Sequence, residues 1–164
     1  MSSKPLVFVV YAPMFARNSA GIYALYKLAK DLNDVGQVAF TTLWGNSNFY
    51  VKPVLDVPVI PQLMALDIVK CFNAVVVYPE VVSGNPLNAA NVMRWVMNEP
   101  GHFGVGDLKF SSKEKIFVYG KSFNRCFAKD EVAGELTLPT IDLDLFMYDK
   151  SIEKTDITVY TGKQ

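Results

Sequence analysis

Residues 73–101 read NAVVVYPEVVSGNPLNAANVMRWVMNEPG, and the fold turns on how this stretch is parsed. Ala74 to Tyr78 is an unbroken apolar run, the pattern of a strand covered on both faces. Glu80 stands where that strand ends. A polar turn follows, and then a segment whose apolar residues Ala89, Val92, Met93, Val96 and Met97 recur with helical spacing. Asn85 as N-cap with Pro86 as first residue predicts a helix start, and Pro100 and Gly101 predict its end. The parse is strand, turn, amphipathic helix. Arg94 and Trp95 fall off the apolar stripe, which reads as a surface ion pair for the first and leaves an interface contact as one alternative for the second.

Outward from this stretch the same alternation recurs. Leu6 to Tyr11 reads as a buried strand, Ala12 to Ser19 as a loop, and Ala20 to Val35 as a helix with Ile22, Leu25, Tyr26, Ala29 and Leu32 on its core face. Asn18 or Ser19 can cap this helix, Gly36 suits the left-handed turn at its end, and Val38 to Leu43 is a second strand. A βαβ unit of this kind predicts parallel strands joined by a right-handed crossover. Pro53, Pro58 and Pro61 bracket short extended pieces such as Val57 to Ile60, and Met64 to Phe72 reads as a short helix or irregular structure. Further strands are expected at Lys115 to Tyr119, Glu135 to Leu138 and Ile157 to Tyr160. The expected class is α/β: a Rossmann-like, three-layer, doubly wound and mostly parallel sheet.

Composition narrows the function classes. The 164 residues are 51% hydrophobic and 13% aromatic, which excludes a disordered chain. Sixteen basic residues balance sixteen acidic ones, so there is no electrostatic case for a nucleic-acid partner. Pro5 to Ala16 mimics the apolar core of a signal peptide, but its β-branched and aromatic LVFVVY reads better as a first buried strand. No run approaches the roughly 20 apolar residues of a membrane span. Cys71 and Cys126 form no CxxC pair and read as two buried thiols in a reducing, cytoplasmic compartment. No metal or cofactor is expected: Asp142 and Asp144 alternate at strand spacing but stand alone.

Four places can carry chemistry. In an open α/β sheet, ligands bind outside the carboxyl ends of the strands. The turn APMFARNSAG (residues 12–21) joins the first strand to the first helix. Small residues at Ser19, Ala20 and Gly21 let a phosphate or carboxylate approach the helix N-terminus, with Arg17 adding charge. The alternative is plain capping, with Gly21 permitting close helix–sheet packing. Neither GxGxxG nor a P-loop occurs, against a standard NAD enzyme or P-loop NTPase. The second place is Glu80 with Ser83, Gly84 and Asn85, where the carboxylate either meets ligand hydroxyls, acting as a base, or binds loop amides while Asn85 merely caps. The third is His102, the only histidine, a general-base candidate in a loop. The fourth is the Arg94–Trp95 pair. No GxSxG is present to support a serine nucleophile.

The segment VVVYPEVVSGNPLNAANVMRWVMNEPG resembles a "YPE..SGNPL......RW..N.PG" stretch in the N-terminal, acceptor-side domain of bacterial glycosyltransferases of GT-B architecture. NSAGI at the first helix, KIFVYGKSF, LTLPTIDLDLFMYD and ITVYTGK resemble further pieces of that family in the same order, across nearly the whole chain. The resemblance implies transfer of a sugar from a nucleotide-diphosphate sugar to a hydroxyl of a glycan or small-molecule acceptor. It places Ser19, Ala20 and Gly21 near the donor diphosphate, with Ala20 standing where the family has a first glycine. It implies that residues 1–155 form one Rossmann-like domain and that 156–164 open a second, donor-binding domain, without which the chain is expected to turn over poorly. The rival reading is a non-catalytic α/β binding or assembly module, a possible homodimer pairing through Trp95, Phe103 and the strand Ile157 to Tyr160. A flavodoxin-type nucleotide- or flavin-binding enzyme also fits the fold, with no motif behind it.

Overall fold

The structure is a computed structural model that describes residues 5–45, 51–103, 110–128 and 130–140. The expected strand at 157–160 and the aspartates at 142 and 144 lie outside the described residues. Strand β1 (Leu6–Ala12) and strand β2 (Val38–Leu43) flank helix α1 (Ala20–Asp34) and pair in parallel, Val7 opposite Val38 and Ala12 opposite Leu43. Gly36 has φ +83°, the left-handed conformation that ends α1 at low cost. Strands β3 (Val51–Val54) and β4 (Val57–Ile60) form an antiparallel hairpin, and helix α2 (Gln62–Cys71) leads into β5 (Asn73–Pro79). Three strands complete the sheet: β6 (Asn91–Val96), β7 (Lys115–Val118) and β8 (Val132–Glu135).

The eight strands lie in the order β3-β4-β2-β1-β5-β6-β7-β8, all parallel to their neighbours except β3. Successive residues of β1 serve opposite faces. Val10 and Ala12 join the cluster under α1 with Tyr26, Ala29 and Trp95, while Val9 and Tyr11 join the cluster with Ala65 of α2, Val76 and Tyr78. A helix on each face of a mostly parallel sheet is the Rossmann-like, three-layer α/β class expected from the alternation. Val9, Val10, Val76 and Val77 are wholly buried, each contributing about 1.5–3 kcal/mol of transfer free energy. Among the described residues no helix is long and apolar enough to cross a membrane.

The main correction concerns residues 85–97. They do not form a helix: Asn91–Val96 is β6, parallel to both β5 and β7. Asn85 caps nothing helical. Its Oδ1 accepts the Ala89 N–H at 3.0 Å and its Nδ2 donates to the Ala89 carbonyl at 2.8 Å, closing a tight turn. Asn88 sits at φ +50°, a left-handed conformation that stops any helix there. Val92 and Val96 then face one side of the sheet, and Met93, Trp95 and Met97 the other.

Two smaller corrections follow. The last described strand is Val132–Glu135 rather than Glu135 to Leu138. Leu136 and Leu138 instead pack on the α1 face in extended chain, and the Trp95 indole donates to the Leu136 carbonyl at 2.9 Å. The cysteines are not buried as expected: Cys71 is exposed and Cys126 half-buried, with no disulfide between them.

Candidate functional site

The chain runs outward from β1 to β2 on one side and returns to place β5 on the other, so the strand order reverses beside β1. Loops leaving the carboxyl ends of β1 and β5 part there and leave a crevice. A cleft of about 590 Å³ occupies it. Pro13, Ser19, Gly21, Ile22 and Leu25 supply the β1–α1 side, Trp44 follows β2, Pro79, Glu80 and Val81 end β5, and Met97, Asn98 and Phe103 follow β6. The β1–α1 turn is held from inside: the Tyr26 hydroxyl donates to the Pro13 carbonyl at 2.9 Å, and its ring meets Phe15 edge-on at 5.1 Å. Burial pushes the Tyr26 phenol up to about 12.

The N-terminus of α1 opens at this cleft. Ser19 is the N-cap residue, as expected, but its hydroxyl makes no capping hydrogen bond, and the first turn has no acidic residue. Among the described residues the first-turn N–H groups and the positive end of the helix dipole therefore have no side-chain partner. A Cβ built on Gly21 would meet nothing within 4 Å, so helix–sheet packing does not require a glycine there. Gly21, Met97 and Asn98 also border a second cleft of about 330 Å³ with Ala20, Ala24, Tyr119 and Thr140.

Glu80 is 2% exposed. Its Oε2 accepts the Met97 N–H at 3.0 Å and its Oε1 accepts an Asn98 side-chain N–H at 3.1 Å. The carboxylate thus ties the end of β5 to the end of β6 and borders the cleft at the same time. Of the two alternatives for Glu80, loop-amide binding is realised. Asn85 is engaged in its turn, with the Tyr78 hydroxyl donating to its Oδ1 at 3.0 Å.

The structure thus brings Ser19, Gly21 and Glu80 to one cleft and Ala20 to its neighbour. Arg17, Ser83 and Gly84 are exposed and line neither, and Asn85 is half-buried and lines neither. His102 is exposed with its ring edge-on to Phe103 at 5.0 Å; Phe103 rather than His102 lines the cleft.

Arg94 and Trp95 overturn their sequence readings, because both are fully buried. In β6 the Arg94 guanidinium lies under the loop that leaves β5. Its Nε donates to Glu114 Oε2 at 2.9 Å, Nη1 to the Val82 and Pro79 carbonyls at 2.5 and 3.3 Å, and Nη2 to the Gly84 carbonyl at 2.8 Å. It stacks over Tyr78 at 5.1 Å and Phe110 at 4.7 Å. Burial pushes its pKa down and Glu114 opposes that shift. Trp95 faces the α1 core, so it offers no surface for pairing with a second copy.

Asn98 is the cleft residue that sequence reasoning missed. Its only signal was its place in the N.PG end of the quoted motif, just beyond the apolar run. No group of three or more metal-ligating side chains occurs among the described residues. No protein family, curated protein or solved structure matches the chain.

Proposed function

We propose that this chain is the acceptor-side domain of a glycosyltransferase using a nucleotide-diphosphate sugar. The observation that carries the reading is that Ser19 and Gly21 of the β1–α1 turn border the same cleft as Glu80 at the end of β5. The division of labour follows from the chemistry of the two walls. The α1 N-terminus offers uncapped N–H groups and a positive dipole end, suited to the β-phosphate of a donor. Ala20 is exposed on that turn, and the open space at Gly21 lets an oxygen come close to backbone. The cleft beside it receives the acceptor, whose hydroxyl is then held next to the reacting carbon; such positioning is a large part of transfer catalysis.

The test is an amide-resolved NMR titration of the full chain with UDP, GDP and UDP-glucose. Saturable shifts concentrated at Ser19, Ala20 and Gly21 are the expected outcome. If none of the three ligands moves those amides, the donor-facing role of the turn is wrong and the transferase reading loses its basis.

A further inference from the structure

The residue that meets a ligand in this cleft is set by how Glu80 is used. Each Glu80 oxygen already accepts a hydrogen bond, one from Met97 and one from Asn98. A carboxylate only accepts, whereas a primary amide donates at one end and accepts at the other. The 3.1 Å contact therefore fixes the orientation of Asn98, with Nδ2 toward Glu80 and Oδ1 turned away from it. Asn98 borders both clefts, so its oriented amide is a polar group they share.

We propose that Asn98, oriented by Glu80, is the principal polar contact of the site and that the occupant is a neutral carbohydrate ring. The ring donates a hydroxyl to Asn98 Oδ1 and lays its C–H face against the aromatic wall of Trp44 and Phe103. This deepens the acceptor role proposed above and rests on it. Three observations select the ligand class. Among the described residues no lysine or arginine lines either cleft, and the single charged lining side chain is the acidic Glu80, so away from the α1 N-terminus nothing described there recruits an anionic group to the Glu80–Asn98 wall. Trp44 is 40% and Phe103 62% exposed, so large apolar faces are held open at the cleft. Ser19 has no capping duty, so its hydroxyl adds a second hydrogen-bonding group. A purely apolar occupant would bury Asn98 and Ser19 without partners, which is costly. A sugar ring, apolar on one face and hydroxylated at its edge, meets both demands. Glu80 is on this account a positioning residue.

The experiment titrates the full chain with the methyl glycosides of glucose, galactose, mannose and N-acetylglucosamine up to about 100 mM, the range of weak single-ring binding. It follows the Trp44 indole N–H and the Asn98 side-chain amide by NMR. At least one glycoside should shift both resonances saturably. Trp44→Ala, at an exposed position, and Asn98→Ala should each weaken binding by about tenfold or more. Near-ultraviolet dichroism of buried Trp95 reports that each variant is folded. Glu80→Gln should weaken binding and shift the Asn98 side-chain amide resonances, because the Met97 N–H keeps the glutamine oxygen, the glutamine NH2 then faces Asn98, and Asn98 must turn its Oδ1 toward it and away from the ligand. The inference is overturned if no glycoside shifts either resonance, or if binding stays within about twofold in both alanine variants. If UDP moves the α1 amides while the glycosides do nothing, the carbohydrate inference falls and the donor-facing role stands. If the glycosides bind and the nucleotides do not, the reverse holds.

Discussion

Replacing Arg94 by methionine tests whether the loop after β5 is organised by a single buried cation. The guanidinium donates to three backbone carbonyls, those of Pro79, Val82 and Gly84, and makes an ion pair with Glu114 at 2.8 Å. Arg94 is 0% and Glu114 4% exposed at the side chain, so solvent screening does little for either. Methionine keeps much of the volume but leaves Glu114 with the Ser111 N–H as its remaining hydrogen bond. It also leaves the Val82 carbonyl in a buried residue; Gly84 is exposed and its carbonyl can turn to water. Breaking a buried pair from one side costs about 3–5 kcal/mol. One unsatisfied carbonyl adds about 1–3 kcal/mol. Against a total stability of about 5–15 kcal/mol for a domain, Arg94→Met should bring the chain close to unfolding. Arg94→Lys should recover little, because an ammonium is a point donor and cannot span three carbonyls and a carboxylate. Urea denaturation followed by far-ultraviolet dichroism measures the cost, and a cycle with Glu114→Gln and the double variant isolates the pairwise part. A cost below about 1 kcal/mol for Arg94→Met, in the range of an exposed pair, would refute the reasoning.

Three further outcomes are expected. The Thr41 hydroxyl is buried with no partner among the described residues, so Thr41→Val should raise stability by about 1 kcal/mol in the same urea assay. Burial raises the phenols of Tyr11, Tyr26 and Tyr78, so the native state holds protons that the unfolded state gives up. Stability from these groups is complete below their ordinary value of 10.0 and is lost above it, through about 12 for Tyr26, at up to about 1.4 kcal/mol per pH unit per tyrosine; tyrosinate absorbance should rise together with the loss of dichroism. Gly21→Ala should raise stability by about 0.5–1 kcal/mol, because the methyl meets open space and alanine favours the helix, yet weaken binding of UDP at the α1 turn; a variant that is both more stable and equally tight would show that no ligand needs the space.

The β1–α1–β2 unit was legible because its signals are local. Apolar runs of strand length alternate with a striped helix, and Gly36 closes that helix in the conformation its type favours. β6 was misread because Val92, Met93, Val96 and Met97 fit a helical stripe, and Asn85–Pro86 tilted the reading toward a helix start. The alternation Val92, Arg94, Val96 against Met93, Trp95, Met97 serves a strand covered on both faces equally well, and tertiary burial chose it. Arg94 looked like a surface residue because its partner Glu114 is 20 positions away, a separation no periodicity can see. Glu80 was placed correctly at the sheet edge for a local reason, the end of its apolar run. Its engagement with Met97 and Asn98 depends on β6 lying beside β5, which the helical reading had removed.

Much of the quoted motif turns out to be a set of mutual contacts. Tyr78 holds Asn85 and the Leu87 N–H, Arg94 holds the carbonyls of Pro79, Val82 and Gly84, and Glu80 holds Asn98. Tyr78, Asn85 and Arg94 therefore do their work behind the cleft, and Glu80 does its work at the cleft's edge. That arrangement still bears on a ligand, because a buried carboxylate on a loop pinned by a buried guanidinium has little freedom to move. Asn98 is oriented by Glu80, Glu80 lies just beyond Pro79, and the Pro79 carbonyl is held by Arg94. Weakening Arg94 should then disturb the Asn98 amide at a distance, whereas a change at exposed Ser83, which takes no part in these contacts, should not. An amide held by Glu80 is oriented before any ligand arrives, and the carbohydrate proposal draws on that preorganisation rather than on a large number of polar groups.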